Sequence, residues 1–507
     1  MMKRFLALLL ALAALFCSGC MPLEPPNASQ DEPQQSQPQE PTESAPAFDR
    51  LKIAYNSANP LEPYSASSTM NLNLIPLMYD PLVKLDQNYE VHKVLAEEIR
   101  MTGDQCIVTV RSGVTFSDGA PLTADDVVYS AQQVLAPGNS YSGLLSNVKE
   151  VAAVDSRTVQ FTLNTPDRLF ANLLTFPIVA QERPGVGSGR YVLAGSGENL
   201  HLEQNPLWYG GTGGRIKTIE LINQLDQDTL IYSLKLGTIN YVYSDLADNE
   251  TATIGSSTQL VPLNNLVYLG VNSTKAVLAD ARMRKVLDLC LDRAGLAESA
   301  YAARALPAYT PFQPNFIEVQ ALDLTQPQDL TAAALLMEQL GYSAERKDAE
   351  GYYVIPGRGR FTLRLLVNAE NSGRLQIATE LQRTLREFGI ELVIDSKKYE
   401  DYQNALTKWD FDLYLAEVKL YDNMDISRML SPAEKLGFGV TENETLLAAN
   451  AAFRSGAMGM EEFVQEFGRN LPFLPILYRS GTVSFSRGWY FESLATEQDI
   501  FYNIENW

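Results

Sequence analysis

The stretch from Phe361 to Val418 limits most narrowly what this chain can fold into. Phe361, Leu363, Leu365 and Val367 alternate in the way a strand with a buried face does. Arg374 to Phe388 then sets Leu375, Ala378, Leu381, Leu385 and Phe388 on one helical face and stops at Gly389. Ile390, Leu392 and Ile394 alternate again, a helix follows around Tyr402 to Thr407, and Phe411 to Val418 is strand-like. Strand, helix, strand, helix, strand implies right-handed crossovers between parallel strands, and so an α/β lobe.

The same reading finds strands at Leu51 to Tyr55, Cys106 to Val110, Val159 to Leu163, Tyr191 to Leu193, Ile219 to Ile222, from Ile239 to Tyr243, and Leu266 to Val271. Helices are expected after the N-cap Thr123, with Asp125 and Asp126 at its positive end, and at Thr229 to Leu236, Met283 to Leu291 and Ala332 to Leu340. A chain of 507 residues exceeds what one compact core accommodates, so two or three folding units are expected.

The N-terminus reads differently. Lys3 and Arg4 precede an apolar run from Phe5 to Phe16, shorter than the ~20 residues that span a bilayer and suited to a signal peptide. Ser18-Gly19-Cys20 resembles the bacterial lipobox, whose cysteine becomes the lipid-modified first residue of the mature chain; Cys17 stands where that motif usually has leucine. The alternative is ordinary secretion with cleavage nearby. Acyl chains at ~0.8 kcal/mol per buried CH2 would hold the protein on the outer surface of the cell membrane without a spanning helix. Met21 to Ala47, rich in Pro, Gln, Ser and Glu and without aromatics, reads as a disordered tether, with folding from Phe48.

Several chemistries are disfavoured. The formal net charge is −21 and no Lys/Arg cluster follows the signal segment, which opposes nucleic-acid binding. His92 and His201 lack metal-ligand spacing, so no metal or cofactor is expected. No nucleophile elbow is present, and Ile216 breaks the phosphate-loop likeness of Gly210 to Thr218. With 61 acidic residues, carboxylate pairs carry no information about glycosidase chemistry, and no enzyme is expected. Cys106 and Cys290 read as buried free thiols, with a disulfide between them as the alternative.

"TVRSGVTFSDGAPLTADDVVYS" (109–130) closely resembles a signature of the family 5 bacterial extracellular solute-binding proteins, the oligopeptide, dipeptide and nickel group that serves ABC importers. "MYDPLVKLDQNYEVHKVLAEEI" (78–99), "GSGRYVL" (187–193), "LEQNPLWYGG" (202–211), "ARMRKVLDLCLDR" (281–293), "LGYS" (340–343), "IATELQRTLREFGIEL" (377–392) and "DFDLYL" (410–415) continue the resemblance in the family's order. It implies a type II periplasmic-binding-protein fold, α/β, with two lobes around a ligand cleft and an additional third domain. The implied boundaries are 48–80, 187–268 and 475–507 for a discontinuous lobe I, 81–186 for the extra domain and 269–474 for lobe II. The implied function is capture of a small ligand, peptide foremost, for an ABC permease, by a monomer. Alternatives are a nickel chelate, an oligosaccharide or another polar solute, or a surface receptor not coupled to import.

In the family's peptide binders a glycine–tryptophan pair and then an aspartate follow the "FD" strand, and the aspartate pairs with the peptide amino group. Laid ungapped from Phe411-Asp412, the glycine falls on Glu417, the tryptophan on Val418 and the aspartate on Tyr421, with Asp422 one residue later. Shifting by one residue makes Asp422 the anchor; otherwise Glu417, Lys419 and Tyr421 offer a different polar set, and Asp422 and Asp425 cap a turn. Tyr55, Asn56 and Asn59 follow the first strand, where α/β lobes place ligand contacts; a surface turn is the alternative.

Overall fold

The computed structural model describes residues 48–211, 213–245 and 257–507. The signal segment, the tether and Cys20 lie outside the described residues. Phe48–Trp507 forms one compact unit.

The alternating run at Phe361 becomes the strand Thr362–Asn368, which pairs in parallel with Glu391–Lys397 and with Leu413–Lys419. Two helices make the crossovers. Ser372–Phe388 starts where the Asn371 side chain accepts the Arg374 amide at 2.9 Å, and ends at Gly389, whose φ of 110° suits a residue without Cβ. Ile377, Ala378, Leu381, Leu385 and Phe388 are its buried face. Tyr399–Thr407 is the second helix.

A similar group forms from the other end of the chain. Arg50–Tyr55 lies parallel to Thr218–Asn223 and to Tyr241–Ser244, and His201–Gln204 and Tyr191–Ala194 extend the edge antiparallel. Two long antiparallel strands, Thr258–Val271 and Phe473–Phe485, join the groups into one eleven-stranded mixed sheet. Their register slips between Pro262 and Leu266 and again between Val267 and Tyr268. Such slips bend and twist a ladder locally. Both strands run unbroken through positions 268 and 474, where the sequence reading set its lobe boundaries.

The sequence reading found only the end of the first long strand and missed the second. Phe473–Phe485 is buried at every position, so no alternation marks it. At the centre of this sheet Gly270 faces Tyr414, and a Cβ on Gly270 would lie 2.0 Å from the tyrosine ring. Tyr414 cannot retreat, because Tyr268 and Phe411 pack against it. Gly270→Ala is therefore expected to cost about 1–3 kcal/mol through overpacking, read as a lowered thermal midpoint.

The third part is an antiparallel sheet of Ala96–Thr102, Gln105–Val110, Thr158–Leu163 and Val148–Asp155, covered by the helix Ala124–Leu135. Cys106, Val108, Phe116, Val127, Val134 and Phe161 meet in its core. Asp126 accepts the Thr123 amide at 2.9 Å and caps the helix, while Gly119 (φ 87°) closes the turn before it. The family signature is thus a turn and a capped helix. Two α/β lobes with an added third domain are present, as the sequence led one to expect. Cys106 and Cys290 are buried free thiols in separate cores, and burial pushes both up to about 12.

Candidate functional site

A cavity of about 290 Å³ opens where several parts of the chain converge. Its walls come from 72–85, from 140–144 of the added domain, from Asn264 and Lys419–Asp422, and from 496–499. Ile75, Tyr79, Val83, Leu85, Tyr141 and Leu144 make much of it apolar. This volume sits near the small end of ligand sites, ~300–1,000 Å³.

Asp422 reaches the cavity because the strand Leu413–Lys419 ends just before it. Leu420 donates its amide to the Asn264 carbonyl at 3.0 Å, and Met424 turns back onto the Tyr421 carbonyl at 2.9 Å. The added domain ties down this turn: Asn172 donates to the Asp422 carbonyl at 3.3 Å, and Asn423 donates to Asp167 at 2.7 Å. The Asp422 side chain is buried. Its Oδ1 accepts from Asn264 at 2.7 Å and from Gln498 at 2.5 Å. Among the described residues no ammonium or guanidinium bonds it. Burial first, and the neighbouring Glu497 second, push its carboxyl up to about 7, against the Asn264 hydrogen bond and Lys419, which favour the charge. The Asn264 Oδ1 is buried and has no hydrogen-bond partner among the described residues.

The remaining charges around the cavity are paired. Lys419 meets Glu497 at 2.5 Å and Lys84 meets Asp499 at 2.8 Å. The Tyr421 hydroxyl reaches across to the added domain, 2.5 Å from where a Cβ on Gly143 would stand.

The other residues singled out in the sequence lie elsewhere. Glu417 accepts from Arg374 at 3.0 Å, Arg479 at 2.7 Å and Asn265 at 2.7 Å. Asp425 pairs with Arg454 at 2.8 Å and caps the Ser427 amide. Tyr55 and Asn59 line a second cavity of about 440 Å³, together with Glu62, Tyr79 and Tyr191. Tyr79 borders both spaces. Asn56 accepts the Ala58 amide, and Asn59 accepts the amides of Ser67 and Ser68, so both hold the loop in shape.

Asn264, Glu497, Gln498 and Lys84 were missed. Nothing local marks Glu497 and Gln498, since 493–499 forms neither helix nor strand and reaches the cavity through tertiary contacts alone. Among the described residues one grouping suits a metal: Asp86, Glu90 and His92 bring ligand atoms within 4.8 Å of one another. It lies on a hairpin outside the cavity lining, and there Asp86 holds its own turn by accepting the Asn88 and Glu90 amides. No described helix is long and apolar enough to cross a membrane.

Comparison with known proteins agrees with this architecture. Protein XP55 of Streptomyces lividans is 29% identical over 52% of this chain and 52% of its own length. The chain thus spans about half of that relative. The oligopeptide-binding protein AppA of Bacillus subtilis is 24% identical over 85% of this chain and 86% of its own. The unliganded open form of MppA, a periplasmic murein tripeptide binding protein, superposes with a TM-score of 0.71 at 17% identity, covering 87% of this chain and 93% of that one. The family model of bacterial extracellular solute-binding proteins, family 5 (middle region), matches residues 90–432. With that match spanning well over half of its length, the chain belongs to the family 5 bacterial extracellular solute-binding proteins.

Proposed function

We propose that this protein is the lipid-anchored, extracytoplasmic binding component of an ABC importer, and that it captures short peptides by their amino terminus at Asp422. The observation that carries this reading is a buried carboxylate at the cavity wall with no cation bonded to it among the described residues. Such a group is costly to ionise unless a partner charge arrives. A peptide ammonium donating to Asp422, with the unpartnered Asn264 Oδ1 beside it, supplies that partner. AppA and MppA, named for peptides, add support.

In this reading lobe I is 48–80, 187–268 and 475–507, the added domain is 81–186 and lobe II is 269–474. The paired strands Thr258–Val271 and Phe473–Phe485, with their slipped register, serve as the hinge. Cys20 carries the lipid as the first residue of the mature chain, the signal segment before it is removed, and 21–47 is the tether; Cys20→Ser should release the protein from membranes in a fractionation.

Native mass spectrometry of the purified protein, with thermal shifts across a peptide panel, tests the ligand class. A ligand at 100 times its Kd adds ~2.7 kcal/mol of stability. Co-purified peptide is expected; a co-purified sugar or metal chelate, with no peptide shifting the midpoint, would reject the reading.

The pH dependence has a definite sign. With a carboxyl near 7, Asp422 must lose its proton before it anchors an ammonium. Peptide affinity is therefore expected to rise about tenfold per pH unit up to ~7, then to fall above ~8 as the peptide amine deprotonates. Titration calorimetry between pH 5 and 9 checks this; a flat profile from 5 to 7 would remove Asp422 from the anchor role.

A further inference from the structure

The charge pattern of the cavity says which end of a guest is recognised. Among the described residues its lining holds three carboxylates, Asp422, Glu497 and Asp499, against two ammoniums, Lys84 and Lys419. Each lysine already sits on a carboxylate: Lys84 on Asp499 at 2.8 Å and Lys419 on Glu497 at 2.5 Å. Among the described residues Asp422 is bonded only by the neutral amides of Asn264 and Gln498. The walls therefore lack one positive charge. Among the described residues they also lack a cation with an open position for an anionic group. Arg374 and Arg479 both lie on Glu417, outside the lining, and the segment 246–256 contains neither lysine nor arginine.

Resting on the peptide reading above, we propose that this site selects the amino terminus alone. It takes a ligand through one primary ammonium joined to an apolar body, and leaves the ligand's carboxylate unread. C-terminally blocked short peptides would then be ligands as good as free ones. A carboxylate entering the cavity would meet three others. To gain a partner it would have to pull Lys84 from Asp499, and those side chains are only 13% and 5% exposed. Breaking a buried pair leaves an uncompensated charge and is strongly unfavourable. Lys419 is more exposed and its pairing correspondingly weaker. Releasing it, however, strands Glu497 beside Asp422, which already lacks a cation. The ammonium end thus gains a partner in the cavity and the carboxylate end gains none, while Ile75, Tyr141 and Leu144 offer apolar contact between them.

The test uses the full-length protein in detergent and three probes: the tripeptide Ala-Phe-Ala, its C-terminal amide and its N-acetyl derivative, compared by calorimetry at pH 7.5. The amide is expected to bind within threefold of the free tripeptide, and the N-acetyl form at least 100-fold more weakly. In Asp422→Asn the free and N-acetyl forms should differ by less than fivefold. A tenfold or greater loss on amidation, with the free tripeptide still bound, would overturn this inference and leave the peptide reading standing. Equal binding of the N-acetyl form would overturn amine selection itself. Binding of none of the three would overturn the peptide reading, and this inference with it.

Discussion

Asp422→Asn is expected to weaken binding of a free-amine peptide by roughly 30- to 1,000-fold, and at the same time to stabilise the unliganded protein above pH 7. The first effect follows from removing one partner of a buried charge-assisted contact, about 2–4 kcal/mol. The second follows from the carboxyl's displacement to about 7. In the unfolded chain an aspartate titrates near 3.9. The folded state therefore holds a proton between roughly pH 4 and 7 that the unfolded state has lost. Stability from this group falls as pH rises through that window, and the penalty is fully present above 7. Asparagine has no charge to lose, and its carbonyl still accepts from Asn264 and Gln498. Urea unfolding at pH 8 should show a raised midpoint for the variant, and at pH 4 no gain. A lowered midpoint at pH 8 would mean that the carboxylate stabilises the fold rather than waiting for a cation.

Glu417→Ala is expected to cost about 3–5 kcal/mol of stability, because it breaks a largely buried ionic cluster. Glu417 stands opposite Val267 in the sheet and accepts from Arg374 on the helix Ser372–Phe388, from Arg479 on the strand Phe473–Phe485 and from Asn265. Arg479 also donates to the Asp245 carbonyl at 2.6 Å, so one cluster fastens five segments near the slip in register. The side chains of Glu417, Arg374 and Arg479 are 14%, 15% and 6% exposed. Without the carboxylate two guanidiniums remain with little water to compensate them. A large fall in the urea midpoint, with peptide affinity retained by the folded fraction, is the expected pair of results. Unchanged stability with lost binding would instead make Glu417 a ligand contact.

These two carboxylates show how far the sequence could be read. Both lie in one short stretch after "FD", and local pattern treats them alike. Among the described residues Glu417 gains two arginines and Asp422 gains none. The partners that decide this come from distant positions: Asn264 and Gln498 for Asp422, Arg479 for Glu417, and Lys84 for Asp499. Tyr55, Asn56 and Asn59 occupy the strand end where contacts were expected, yet the two asparagines fold their hydrogen-bonding capacity into their own loop, and Tyr55 and Asn59 border a different cavity.

Periodicity and motif alone were enough for the parallel crossovers of 361–418, the capped helix after Thr123 and the family. Each of these depends on neighbours a few residues apart, where helix and strand spacing writes itself into the order of apolar side chains. Phe473–Phe485, one of the two long strands that join the lobes, had no such signature, because burial on both faces erases alternation. Which acidic group is left without a counter-charge depended on contacts between residues tens to hundreds of positions apart. Electrostatic compensation acts through space, at separations of a few ångströms, and only the folded chain brings those groups within reach.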